Sequence, residues 1–138
     1  MQWINGYLTF DGNCREAMEF YKKSLEAELE IMPVMDEQGK PKLTEDGKER
    51  IMHAKLSGGG GLLMASDAMG GMPVQVGNNF SLAIQNESVE EQDKFFAALG
   101  EGGKVTMPLQ DTFWGARFGM LTDQFGINWM FNLDKPKG

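Results

Sequence analysis

The feature that most constrains this chain is that its pattern occurs twice. Phe20-Tyr21 and Phe95-Phe96 lie 75 residues apart, and the same offset places Glu16 on Glu91 and Leu8 on Ala83. Around each aromatic pair an extended run leads into a capped helix and then into further extended runs, in one order. Each coincidence alone is weak. The shared order argues for a duplicated β-α-β-β-β module. The predicted fold class is therefore α+β: two such modules, 1–72 and 73–138, whose mixed sheets curl around a shared cavity as one structural unit.

In the first module, residues 3–10 form an extended run that enters DGNCREAMEFYKKSLEAE. Asn13 and Glu16 have capping-box spacing, and Ala17, Phe20, Tyr21 and Leu25 recur at helical period, so an amphipathic helix begins near Asn13. An apolar run, 29–35, precedes DEQGKPKLTEDGKER, whose Gly, Pro and charge read as a solvated, mobile loop over 36–50. Runs at 51–56 and 62–66 flank SGGGG, and glycine's access to positive φ makes that stretch a hairpin connection. After the connector DAMGGMPVQVGNN the pattern restarts with a strand at 80–85. Ser88 with Glu91 forms a second capping box, and Val89, Phe95, Phe96 and Leu99 supply an apolar face that stops at Gly100. Strands at 104–107, 115–121 and 128–132, the last two joined by a TDQFG turn, complete the second module.

Several function classes are excluded at this level. A chain of 138 residues with 41% hydrophobic residues suits a compact domain or two small fused modules. Its net charge is −7 with scattered lysines, which gives no footprint for nucleic acid. MQWINGYLTF lacks a charged region followed by an apolar one, and no run approaches the roughly 20 apolar residues of a membrane helix. The expectation is a cytoplasmic protein without a membrane partner. The single cysteine, Cys14, cannot form an intramolecular disulfide and reads as an ordinary helix residue rather than a nucleophile. A phosphate loop needs glycines feeding a helix N-terminus, commonly with GK[ST], whereas these feed the strand LLMAS. With no G-x-G-x-x-G between strand and helix either, no cofactor is predicted.

At this point YLTFDGNCREAMEFYKK, HAKL with LLMASD, and MPLQDTFWGARFGMLTDQFGINWMF carry a resemblance. They resemble the PhnB-like branch of the vicinal oxygen chelate superfamily, which also holds glyoxalase I, extradiol dioxygenases and bleomycin-resistance proteins. The resemblance covers nearly the whole chain, and FWG-R-G followed by D-x-FG is its most specific part. It implies a homodimer and the fold already predicted. Some members carry the name demethylubiquinone methyltransferase, but no methyl-donor glycine loop is present here. Metal-using members bring one His or Glu from each of four strands to a divalent ion. On that pattern the four positions hold Gly6 or Tyr7, Met64, Ser81 and Met130. None is His, Glu or Asp, and thioethers and hydroxyls suit hard or borderline divalent ions poorly, so no metal site is predicted.

The candidate site residues follow. His53 is the candidate catalytic base, since an ordinary imidazole is partly neutral at cellular pH; a packed structural histidine is the competing reading. Asp111, Trp114 and Arg117 sit in a loop leading into a strand, where a planar cation and an aromatic ring could hold an anionic or conjugated ligand. Equally, they could cap the turn, plug the barrel mouth and form an internal salt bridge. Tyr7, Met64, Ser66, Ser81 and Met130 complete the predicted lining. Asp123, before Gln124-Phe125-Gly126, reads as turn chemistry. The eleven methionines, among them Met52, Met69, Met72, Met107 and Met120, either fill the core or, with Trp129 and Phe131, make an apolar cavity. Trp129 and Met130 are adjacent on a strand, so with Met130 facing the cavity Trp129 packs under the helices. The predicted function is metal-free binding of a small aromatic or amphipathic molecule. A lyase or isomerase using His53 or a metal, and a dimeric scaffold with a vestigial pocket, are the alternatives.

Overall fold

The structure, a computed structural model, describes residues 4–43, 47–68 and 73–136. Trp3, Met69 and Met72 lie outside the described residues. The chain divides into two compact units, Met1–Gln75 and Val76–Gly138. In the first, β1 (Gly6–Phe10), α1 (Cys14–Leu25), β2 (Glu28–Pro33), β3 (Ile51–Gly58) and β4 (Gly61–Asp67) follow in order. The second holds β5 (Leu82–Gln85), α2 (Val89–Gly100), β6 (Lys104–Asp111), β7 (Ala116–Thr122) and β8 (Asn128–Asp134). The sheet orders are β1-β4-β3-β2 and β5-β8-β7-β6. In each sheet the first strand runs parallel to the last and the other pairs are antiparallel. The duplicated α+β module is thus realised in topology.

Period-2 burial decides which way each strand faces. Leu8, Phe10, Ala54, Leu56 and Ala65 are buried, as are Cys14, Ala17, Met18 and Tyr21 of α1. The register Leu8↔Ala65 and Ala54↔Ala65 puts these strand residues on one face, against the helix. A bulge between β2 and β3 pairs Met32 with His53 but Pro33 with Ile51, leaving Met52 as the extra residue. The inserted residue returns Ile51 to the helix side, where it is fully buried. The glycine run is a hairpin tip: Gly58 pairs with Gly61, and Gly59 and Gly60 have φ of 56° and 81°. Two successive positive φ values are what a type I′ connection requires.

The Asn13 side chain makes no capping hydrogen bond. The Cys14 N–H instead donates to Asp67 Oδ1 at 3.0 Å, so the cap comes from the end of β4. At α2, Ser88 Oγ accepts from the Glu91 N–H at 3.1 Å as expected, while the Glu91 carboxylate accepts from the Glu87 N–H rather than from Ser88. The helices keep the 75-residue offset, but the strands before them do not. Leu8 faces α1, whereas Ala83 is exposed and its neighbours Leu82 and Ile84 pair with the buried Trp129 and Phe131.

The described part of 36–50 is more ordered than a solvated loop. Val34 N–H donates to the Arg50 carbonyl at 2.8 Å and Lys42 N–H to the Val34 carbonyl at 2.7 Å, while Met35 bridges to Pro41 and Leu43 to Glu49. Asp36 Oδ1 accepts from Gln38 and Lys40 N–H, and Arg15 of α1 forms an ion pair with Glu49. In the second unit Trp129 and Phe131 lie on the helix side of β8, with the Phe131 ring 5.2 Å from that of Phe96 on α2. β6 runs four residues beyond the predicted end, through Pro108. It is an edge strand, and register shifts between Met107 and Gln110 accommodate a residue without an N–H. No helix among the described residues is long and apolar enough to cross a membrane.

Candidate functional site

The predicted site residues fall into three places. Tyr7, His53, Met64 and Ser66 share the face of the first sheet that points away from α1. Tyr7 pairs with Met64 and Thr9 with Ser66 across β1 and β4, while His53 pairs with Met32 across β3 and β2. The Tyr7 and His53 rings reach over β4 with centroids 6.0 Å apart and an interplanar angle of 38°. Among the described residues, no hydrogen-bond partner holds the side chains of Tyr7, Thr9, His53 or Ser66. A helix-free face with unengaged imidazole and hydroxyl groups beside a thioether can offer both hydrogen bonds and apolar contact to a small molecule. Gly6, the other candidate for the first position, points to the helix side with Leu8.

The second place is the matching face of the second sheet. Met130 pairs with Ala83 on one side and Met120 on the other, and Phe118 stands two residues along β7 on the same face. The Trp114 ring, 57% exposed in the turn between β6 and β7, contacts the Phe118 ring at 5.9 Å and the Phe113 ring at 5.1 Å. Trp114, Phe118, Met120 and Met130 therefore form an apolar strip. Ser81 precedes β5 and is exposed; the residue in register with Met130, as Tyr7 is with Met64, is Ala83.

Asp111 and Arg117 lie elsewhere, each already engaged. Asp111 ends β6 and makes an ion pair with Lys135 at 2.6 Å. Arg117 lies on the helix side of β7, where its guanidinium donates to Gln92 Oε1 at 3.0 Å and to Asp93 Oδ1 at 2.7 Å. Gln92 is fully buried on α2 and returns a bond from Nε2 to the Arg117 carbonyl at 3.1 Å. The Arg117 fork thus ties helix to sheet. Sequence reading passed over Gln92, because a glutamine inside a charged helix stretch carries no periodic signal that marks it as buried.

Two buried acids and the thiol have structural settings. Asp123 accepts from the Phe125 and Ile127 N–H groups and from Trp129 Nε1 at 2.8 Å, which makes it the organiser of the D-x-FG turn. Asp67 binds Cys14 N–H and Ile51 N–H with its two oxygens. Cys14 is fully buried, and burial first, then the charge of Asp67, pushes its thiol up to about 12. A thiol so far above its ordinary range is protonated at cellular pH and does not serve as a nucleophile.

The positions at which related folds hold a divalent ion can be tested against these residues. The first sheet offers a phenol and a thioether, Tyr7 and Met64, and the second a methyl and a thioether, Ala83 and Met130. Among the described residues, no three His, Cys, Asp or Glu side chains gather. Neither pair, taken by itself, offers donors that fit a hard or borderline divalent cation.

Residues 3–131 match the family profile Glyoxalase/Bleomycin resistance protein/Dioxygenase superfamily. Protein YjdN of Escherichia coli is 35% identical, with 97% of each chain covered. Among solved structures, PA1353 from Pseudomonas aeruginosa is 41% identical with a TM-score of 0.83, covering 99% of this chain and 100% of that one. A Bacillus cereus protein described as a putative 3-demethylubiquinone-9 3-methyltransferase, PhnB protein, is 30% identical with a TM-score of 0.76, covering 96% and 99%.

Proposed function

We propose, from the premise that the chain belongs to the Glyoxalase/Bleomycin resistance protein/Dioxygenase superfamily, that it binds a small aromatic or amphipathic molecule on its helix-free sheet faces without a divalent metal. The observation that carries this reading is the make-up of those faces. One presents Tyr7, Met64 and the unengaged His53 and Ser66; the other presents Trp114, Phe118, Met120 and Met130. Aromatic rings and flexible thioethers adapt to irregular apolar ligands, and a few hydroxyl and imidazole groups orient them. The methyltransferase name of the Bacillus cereus protein is not carried over. The glycine run that a methyl-donor loop would use is here the β3–β4 hairpin tip. The working form in this reading is a homodimer, as the family resemblance suggests, and it works in the cytoplasm.

The test is a thermal-shift series with naphthalene-based alcohols and amines on the native chain and on Met64→Glu and Met130→Glu. A compound at a hundred times its Kd adds about 2.7 kcal/mol of stability. The expected result is a raised midpoint in the native chain that one or both variants lose while remaining folded. Stabilisation by none of the compounds, or stabilisation untouched by either charge, overturns the reading. A second reading, turnover with His53 as base, is favoured by the Tyr7–His53 pair. It requires a His53→Gln variant that still binds a compound but no longer converts it.

A further inference from the structure

We propose that the small molecule carries a carboxylate, and that Thr9, Ser66 and His53 are the side chains that hold it. The inference rests on the small-molecule reading and names the chemical class of its ligand. Its ground is a single row across the first sheet. Thr9 pairs with Ser66 across β1 and β4. The β3–β4 register, continued one step past Ala54↔Ala65, sets His53 opposite Ser66. Thr9, Ser66 and His53 therefore stand side by side on the helix-free face, and Met32, the partner of His53 on β2, ends the row. Neighbouring strands lie about 4.7–4.9 Å apart, so β1 and β3, with β4 between them, are separated by about twice that. The Tyr7 and His53 rings nevertheless approach to 6.0 Å between centroids. Both rings thus lean inward over β4, above the strand that carries Ser66 and Met64.

The chemistry of the row selects the ligand group. Two hydroxyls and an imidazole each have an N–H or O–H to give in any protonation state of the histidine. None of the three has a hydrogen-bond partner among the described residues, and the row itself holds no carboxylate. Side chains one strand apart are close enough to donate to the two oxygens of one carboxylate centred over Ser66, each at about 2.7–3.0 Å. Hydrogen bonds to an ionised acceptor are about twice as strong as neutral ones. Lys55, two residues along β3 on the same face, places an ammonium beside the row; its contact there, Glu30 at 3.8 Å, is 80% exposed. That charge favours an anion and disfavours an amine. The Tyr7 ring and the thioethers of Met64 and Met32 remain for the apolar body of the same molecule.

The experiment is calorimetric titration of the full chain with three matched probes, 2-naphthylacetate, 2-naphthaleneethanol and 2-naphthaleneethylamine. The expected order is acid, alcohol, amine, with the acid bound about tenfold or more tighter than the alcohol. Ser66→Ala and Thr9→Val are expected to shrink that preference to about threefold or less while the alcohol still binds. Ser57→Ala, a serine on the same face two residues beyond Lys55, keeps it. His53 is the chain's one histidine, so its imidazole C–H signals in nuclear magnetic resonance are unambiguous, and the acid shifts them. An alcohol bound as tightly as the acid overturns this proposal and leaves the small-molecule reading standing. A preference that survives both Ser66→Ala and Thr9→Val, or imidazole signals unmoved by a saturating acid, overturns it too. Binding of none of the three removes the small-molecule reading and this proposal together.

Discussion

The carboxylate of Asp67 caps the helix that begins at Cys14, 53 residues earlier in the chain, through a 3.0 Å bond from the Cys14 N–H. Its other oxygen accepts the Ile51 N–H at 2.8 Å, so one buried side chain ties the start of α1 to the start of β3. Replacing it by alanine leaves two buried donors without acceptors, and each costs about 1–3 kcal/mol. We expect Asp67→Ala to lose about 2–5 kcal/mol in urea denaturation. Asp67→Asn keeps one acceptor oxygen and falls between that variant and the native chain. Equal stability of all three would show that this bridge contributes nothing.

The Cys14 thiol supplies a pH prediction. Its folded-state value of about 12 lies above the ordinary 9.0, so the unfolded chain releases this proton first as pH rises. The stability linked to the group is fully present below pH 9 and is lost progressively between about 9 and 12. The unfolding midpoint of the native chain is expected to fall more steeply over that window than that of Cys14→Ala. At pH 8 a thiol-disulfide reagent should modify Cys14 only at the rate of opening, and rapid labelling of the folded protein would contradict the buried placement.

Gln92 and Asp93 meet the same arginine in different surroundings, and their substitutions separate accordingly. Gln92→Leu removes the donor to the Arg117 carbonyl inside the unit and is expected to cost about 1–3 kcal/mol. Asp93 is 56% exposed, and Asp93→Ala is expected to cost about 0–1 kcal/mol. Chemical denaturation of the two variants side by side checks this. A larger loss at Asp93 would reverse the assignment of which contact holds α2 to β7.

What the sequence disclosed and what it concealed divide along physical lines. Helix periodicity, the Ser88 cap, the Gly59-Gly60 turn and the Asp123 turn depend on residues a few positions apart, and these were legible. So was the duplicated strand order, because it is written twice. The Asn13 cap was misjudged since its spacing is local while the true acceptor, Asp67, arrives from β4. The bulge at Met52 inverts the burial phase of Ile51 against His53, and strict alternation cannot anticipate an inserted residue. The position matching Tyr7 likewise lies two residues further on than expected, at Ala83 instead of Ser81. For the candidate site, Tyr7, His53, Met64 and Ser66 were nameable one by one. Their shared face became visible only through strand register, which also separated Trp114 from Asp111 and Arg117.

The measurement that bears most directly on the central claim, a binding face without a divalent metal, is equilibrium dialysis of the untagged chain against zinc, nickel, manganese and iron(II). It is followed by metal analysis and by the thermal midpoint of each sample. The absence of a hard donor in the Tyr7–Met64 pair of the first sheet and in the Ala83–Met130 pair of the second predicts less than a tenth of an equivalent of any of these ions and an unmoved midpoint. One ion per chain, with a midpoint raised in proportion to its concentration, would contradict the account and return the protein to the metal-using members of its superfamily.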